Sequence, residues 1–508
     1  MSRSTQMFVC SMLVLVLAVP GLLNGAGRSE APVNSLRMAL SGDPNTLDPH
    51  ATSGTLTFQV LRSVYDTLAE PNEDGEIVPA LAERWDVSDD ATEWTFFLRR
   101  DVQFHNGAAF SARDVVATFE RLRDSEAAFP NVDEFGPLES VRALDDYTVQ
   151  FRMFEPFAPL LAALASGWGA ILPADLIAEG HDFDSRPVGT GPFVFGEWIR
   201  DGRIRLSRNE AYWIEGQPYL DELVFQIITE PAVQLQGLLA GDFDVIDIVP
   251  PDNRQVIIDN PRTRIDESLS SLIMVMAMNT SRAPLNVLDV RRAINHAVNR
   301  QQILDVAYGG GQPGATFMDT GDFFHVDYSH LYPYDPAQAR ELLAQSGADF
   351  SRPLTLTLPQ NFEPHVVAGQ MYQEMLRQVG LDVNIRLVDW STWISDVYGR
   401  ADFDLTVIGH TGKLDPDGRL ANMASEEFYV RWTNREATSL IRQARQTGDI
   451  MERQNLYARV LEIIAQEVPK VYTGTNYRQI GLRTRVRNFH MDSQLDTYDF
   501  RRVTLDRE

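Results

Sequence analysis

Only two lysines occur in this 508-residue chain, Lys413 and Lys470, and arginine supplies the other cationic positions. Lys413 stands in Gly409-His410-Thr411-Gly412-Lys413-Leu414-Asp415-Pro416-Asp417, a run with loop composition. An ammonium there can attract a carboxylate, a phosphate or a polyol oxygen, pair with Asp415, or point to solvent. A second polar stretch, Thr52-Ser53-Gly54-Thr55, offers hydroxyls that donate or accept, and Gly54 lets backbone approach a ligand closely. The same four residues also read as an ordinary Ser/Thr turn. This chemistry can hold a polar molecule.

Chemistry that transforms one is missing. The chain has no G-x-S-x-G, no H-E-x-x-H and no glycine-rich G-K-[S/T] loop. Gly309-Gly310-Gly311 lacks the lysine and hydroxyl of a phosphate cradle, and abundant Asp and Glu do not by themselves make a glycosidase pair. Among the histidines only His325-Val326-Asp327-Tyr328-Ser329-His330 forms a cluster, and its spacing fits no standard zinc or nickel geometry. We expect no enzyme, no metal and no cofactor; an exported hydrolase is the alternative from that class.

The elements that position these loops alternate helix and strand. Arg37 to Leu40 starts a strand, and Phe58, Val60, Leu61, Val64 and Tyr65 lie on an amphipathic helix. A helix ending at Ala240 passes through Gly241 into Asp242-Phe243-Asp244-Val245-Ile246; another passes through Gly399 into Asp402-Phe403-Asp404-Leu405-Thr406-Val407. The repeated D-F-D step reads as equivalent units in two lobes, each on an α/β sheet. Leu272 to Met278 is an apolar run of strand length, and Val468-Pro469 to Tyr472 is a second such passage. Two crossings imply a hinge. Asp335-Pro336 opens a helix that Gly347 closes.

Length alone calls for two or three subdomains. A net charge of −26 excludes nucleic acid and anionic membrane surfaces as partners, because both would be repelled. Arg3, the apolar run Met7 to Leu23 and the small residues Gly25, Ala26 and Gly27 read as a cleavable signal peptide over residues 1–27. Cys10, the only cysteine, lies at the start of that run, so no lipid anchor is expected, and the mature chain has no disulfide. The product reads as exported and periplasmic.

From Leu81 to Leu122 the chain carries W-x-V-S-D-D, an aromatic strand with Trp94, Phe96 and Leu98, then F-H-N-G and F-S-A-x-D-V-V. This order resembles the signature region of the family 5 extracellular solute-binding proteins. Asp43-Pro44 through Asp48-Pro49, Gly189-Thr190-Gly191-Pro192-Phe193, and Arg208-Asn209 through Tyr212-Trp213 with Pro218-Tyr219-Leu220-Asp221 are similar to further family elements. The resemblance covers roughly residues 35 to 505. It implies an α/β, two-lobed type II periplasmic binding fold with an extra, cluster C-like subdomain. The implied divisions are 32–66, 187–278 and 475–508 for lobe I, 67–186 for the extra subdomain and 279–474 for lobe II.

The same resemblance implies a ligand in a hinged interlobe cleft, contacted by Thr52, Ser53, Gly54 and Thr55, by Trp390, and by His410, Thr411, Lys413 and Asp415. The alternative for Trp390 and Trp393 is plain core. Dipeptide-binding relatives carry an aspartate for the ligand ammonium where this chain has Lys413, and their carboxylate-binding arginine aligns loosely with Gln360. Nickel-chelate relatives carry a histidine where Asp417 stands. His105 and His296 read as structural. The function implied is that of a monomeric component of an ABC importer, delivering a peptide-like or other polar small molecule to a permease with a cytoplasmic ATPase. Oligosaccharide or nickel-chelate binding, or a sensor-coupled role, stay open as alternatives.

Overall fold

The structure, a computed structural model, describes residues 34–507 apart from 74, 128, 251–252, 319–321, 411–412 and 493. The expected signal peptide, with Cys10, lies outside the described residues. So do Thr411 and Gly412.

One eleven-stranded sheet runs through both lobes. Its main path uses β1 (Ser35–Leu40), β2 (Phe193–Ile199), β3 (Arg203–Arg208), β4 (Glu222–Ile227), β5 (Val245–Ile246), β6 (Thr263–Met278), β7 (Leu354–Pro359), β8 (Val383–Val388), β9 (Leu405–His410) and β10 (Lys470–Arg483). Their spatial order is β8-β7-β9-β6-β10-β5-β1-β4-β3-β2, with Gly311–Pro313 paired to β10. The long antiparallel pair β6 and β10 joins the lobes.

Continuous apolarity from Leu272 to Met278 now has its reason. Ile273, Val275 and Ala277 pack into one core of the second lobe, whereas Met276 and Met278 pack into another on the opposite face. A strand covered on both faces needs no polar alternation. β6 pairs with β10 from Thr263 to Ala277, with an irregular register between Leu269 and Ile273, and gains β9 as a second partner over Ile273–Met278. On β10 the irregularity falls at Gly474, which has φ +129° and whose Cβ would lie 2.1 Å from the Gln312 carbonyl oxygen. Glycine is required there by both conformation and space.

The two D-F-D steps make matching structures. Asp244 accepts from the Arg37 amide of β1 at 3.0 Å, and Asp404 accepts from the Thr355 amide of β7 at 3.0 Å. Each is also held by an arginine, Arg485 at 2.7 Å and Arg352 at 2.8 Å. In each lobe the aspartate therefore ties the start of one parallel strand to the next. The second step differs in what precedes it: Trp393–Gly399 is a π-helical segment. A helix from Pro336 to Gln345 starts at Asp335 as expected, with that side chain accepting from Ala337 and Gln338 amides.

A separate four-stranded sheet, ordered Ala82–Val87, Glu93–Leu98, Thr148–Met153, Leu138–Asp145, has its own aromatic core. Trp94, Phe96 and Leu98 are buried in it and their neighbours are not, as the alternation requires. The signature turn anchors this sheet to the first lobe. His105 Nε2 donates to the Gly191 carbonyl at 3.0 Å, its Nδ1 accepts from the Gly189 amide at 3.4 Å, and its own amide bonds the Gly189 carbonyl at 2.8 Å. Gly189 and Gly191 press on Val64 so closely that a Cβ on either would sit 2.2 to 2.6 Å from the Val64 carbonyl oxygen. Two motifs far apart in sequence form one joint.

Candidate functional site

A cavity of about 470 Å³ opens where the first lobe, the four-stranded subdomain and the strand crossing meet. Its walls come from the Thr55–Leu61 helix and the residues after it, from Trp168, from Ser270, Ser271 and Leu272, and from the segment Gln494 to Arg501. From the second lobe it receives Lys413.

Of the first expected loop, Ser53 and Thr55 line the cavity. Thr52 does not: it is buried, its hydroxyl donates to Asn45 at 2.9 Å and accepts from the Gly54 amide at 3.0 Å. Its carbonyl accepts from the Asn131 side chain at 2.7 Å, which fixes the loop to the subdomain. Gly54 precedes the helix with extended backbone and a Cβ there would crowd the Thr52 hydroxyl at 3.3 Å.

The third loop is organised by arginines. Asp415 is buried and accepts two bonds from Arg453, at 2.7 and 2.9 Å, while Asp417 accepts from Arg445 at 2.5 and 2.8 Å. The alternative pairing of Lys413 with Asp415 is therefore not made, because the carboxylate is already enclosed by a better-placed guanidinium. Lys413 instead reaches across to the subdomain, where its Nζ donates to Glu134 at 2.5 Å and lies 5.3 Å from the centre of the Trp168 ring. His410 turns inward. It meets the Tyr429 hydroxyl at 2.8 Å and the Lys470 ammonium nitrogen at 3.3 Å, behind the cavity rather than on its wall. Burial first, and then Lys470 and Arg419, hold the His410 imidazole well below its usual pKa.

Gln360 and Trp390 sit elsewhere. Both lie just beyond the carboxyl ends of β7 and β8, where parallel α/β sheets usually present ligands, but both are exposed and neither reaches this cavity. Trp390 stacks on the buried Trp393 at 5.1 Å and meets Phe362 edge-on at 5.2 Å. The structure thus brings together Ser53, Thr55 and Lys413, and leaves Thr52, Gln360, Trp390, His410 and Asp415 off the cavity wall. Thr411 lies outside the described residues.

Several wall residues had no signal in the sequence. Arg62 donates to Asp492 at 2.5 Å and to Thr497 at 2.8 Å; Arg501 donates to Glu70 at 2.9 Å and to Asp499 at 2.7 Å. Burial alone would raise the Asp499 carboxyl, but Arg501 and Arg62 beside it hold it well below the usual range. Asp66 accepts from Thr190 at 3.0 Å and from the Trp213 indole at 2.9 Å, and burial raises its carboxyl. Arg62, Glu70 and their partners join residues 62–70 to residues 492–501, and Asp66 joins them to Thr190 and Trp213, separations that no local pattern encodes. Among the described residues, no three His, Cys, Asp or Glu side chains converge as a metal set, and no helix is long and apolar enough to cross a membrane.

The profile of the bacterial extracellular solute-binding proteins, family 5, matches residues 76–429. The chain belongs to that family. As a family 5 solute-binding protein it is a binding protein and not an enzyme. It is 29% identical over 490 residues to di/tripeptide-binding protein 1 of Pseudomonas aeruginosa, covering 89% of this chain and 91% of the relative. Among solved structures, HbpA2 from Haemophilus parasuis superposes with a TM-score of 0.83 at 26% identity, covering 93% of this chain and 100% of that one. The periplasmic binding protein DppA from Helicobacter pylori, in complex with the peptide STSA, gives 0.73 at 27% identity, covering 93% and 98%. The two-lobed type II fold with its extra subdomain is that of these proteins.

Proposed function

We propose that this protein is the solute-capturing component of an ABC importer and that it closes its two lobes around a short peptide or peptide-like molecule. The observation that carries the reading is Lys413: a cation from one lobe projecting into the wall of a cavity, mixed polar and apolar, built by the other lobe and the subdomain. Contacts to both lobes favour closure, and closure is the form a permease can recognise. Two relatives support the ligand class: one is named a di/tripeptide-binding protein, and the other holds the peptide STSA. We place the protein in the periplasm, exported through residues 1–27, acting as a monomer that delivers its ligand to a permease with a cytoplasmic ATPase.

The end groups of that ligand are read differently from those in dipeptide-binding relatives. An aspartate for the ammonium is replaced by Lys413, and Gln360 offers no guanidinium for the carboxylate. A peptide carboxylate or another anionic group suits Lys413, whereas an ammonium is repelled.

A thermal-shift screen against di- and tripeptides, sugars, opine-like compounds and metal chelates tests the ligand class. Peptides should raise the melting temperature by mass action. A shift with chelates alone would discard the reading. For a peptide that binds, Lys413→Ala should weaken affinity by roughly tenfold or more, in keeping with a lost charge-assisted hydrogen bond. The fold should persist, because the ion pair to Glu134 is partly exposed and contributes little. An unchanged calorimetric affinity would sink the assignment of Lys413.

A further inference from the structure

The cations in the cavity wall differ in how they are neutralised. Arg62 and Arg501 are held by Asp492, Glu70 and Asp499, of which Glu70 and Asp499 line the cavity themselves. Lys413 is held by a carboxylate that does not line the cavity: Glu134 comes from the subdomain's short 3-10 helix Val132–Phe135. That helix is fixed at both ends. Asn131 before it donates to the Thr52 carbonyl at 2.7 Å, and Phe135 is buried with its ring 5.0 Å from Phe119. The carboxylate itself is 35% exposed and can turn to water without moving the backbone.

The lysine is positioned just as firmly. Its stem lies over Gly418, where an added Cβ would come 2.9 Å from the Lys413 Cγ. Its ammonium stays near the Trp168 ring, so it would remain at the cavity when Glu134 departs. A ligand carboxylate arriving at Lys413 has the same charge and the same acceptor geometry as Glu134. Both cannot occupy one ammonium at close range without repelling each other.

We infer that Glu134 is an internal counter-ion that a ligand carboxylate displaces from Lys413, so that a ligand must carry a free carboxylate to use Lys413 and must compete with Glu134 to do so. This deepens the peptide reading proposed above and rests on it. The exchange leaves the Lys413 ammonium neutralised before and after, so the free energy that drives it comes from the ligand's other contacts in the closing cleft rather than from the pair alone.

The sign of one substitution decides it. Glu134→Gln should bind a free-acid peptide about fivefold more tightly than the wild type, the competitor having been removed. The C-terminal amide of the same peptide should show no gain. Calorimetry on a peptide that the wild type binds gives both numbers. Weaker binding by Glu134→Gln would show that Glu134 holds the ligand itself, most simply its ammonium, and would overturn the inference. Equal binding would reduce the pair to a structural contact and overturn it as well. If no peptide binds the wild type, the ligand class has failed, and this inference falls with it.

A second readout needs no affinity. With ¹⁵N-lysine only Lys413 and Lys470 give side-chain signals. The Lys413 resonance should move in Glu134→Gln without ligand, and in the wild type on adding the free-acid peptide; a Lys413 signal unmoved by that peptide would also reject the exchange.

Discussion

Replacing Arg453 with alanine is expected to cost the protein about 3–5 kcal/mol of stability and to take the ligand loop with it. Arg453 and Asp415 are both buried, and the guanidinium spans both carboxylate oxygens while its Nε donates to the Ala444 carbonyl at 2.9 Å. Phe324 and Tyr457 flank it, with ring centres 5.7 and 5.5 Å away. Removing only the arginine leaves a carboxylate enclosed without its counter-ion, and that orphaned charge is the source of the large penalty. The pair itself contributes far less net stability, because two charges had to be taken out of water to form it. A double substitution, Asp415→Leu with Arg453→Met, should therefore recover most of the loss. Denaturant midpoints for the three proteins check this, and a single variant as stable as the wild type would refute it. Lys413 stands two residues before Asp415, so peptide affinity should fall in Arg453→Ala alongside stability.

Mild acid should destabilise the protein well before its carboxylates titrate. Three imidazoles, His50, His105 and His365, are held down from 6.5 to about 4, in each case chiefly by burial. Burial penalises the charged imidazolium, and the bonds to the Ala170 and Gly191 carbonyls only partly offset it. His50 Nδ1 accepts from Arg121 at 2.5 Å while Nε2 donates to the Ala170 carbonyl at 3.0 Å. Arg121 lowers that pKa further and Asp48 opposes it. His105 accepts an amide on Nδ1, as described above, and His365 Nδ1 meets the Tyr308 hydroxyl at 2.8 Å. A second proton would turn the accepting Nδ1 of His50 and of His105 into a donor facing another donor.

The unfolded chain takes up protons near 6.5, whereas the folded form resists until about 4. Stability is thus full above the upper value and is lost as pH falls through the interval. Each histidine accounts for about 3 kcal/mol by the lower end. Burial raises the carboxyls of Asp66, Asp114 and Asp417, which acts in the opposite direction and begins above the ordinary carboxyl range. The net decline from about pH 6.5 to 5 is therefore the histidine contribution less that gain. Denaturant midpoints across that interval measure it, and His50→Gln should flatten the slope. A midpoint independent of pH would contradict the account.

The joint between His105 and the Gly189–Gly191 turn shows how legibility divides. Each motif is readable alone, as turn composition and as family resemblance. Their contact is not, because a period or a turn signal describes only neighbours along the chain. The same holds for the ligand loops. The Thr52–Thr55 turn and the Lys413 loop were both found in the sequence, yet only the structure separates Ser53 and Thr55, which face the cavity, from Thr52, which is consumed within its own turn. Asp415 looked like a ligand residue because a carboxylate beside a lysine is ambiguous until a third partner is placed. Arg453 supplies that partner from the helix Ile450–Glu467.

Local covalent order was enough to establish the family, the alternation of helix and strand, the repeated D-F-D step and the location of Lys413. Those features follow from short-range preferences: side-chain period, capping and turn chemistry. Which carboxylate neutralises Lys413 was decided only when the subdomain folded against the second lobe, across 279 residues of chain. Coulomb attraction depends on distance in space, and distance in space between Glu134 and Lys413 exists only in the folded protein.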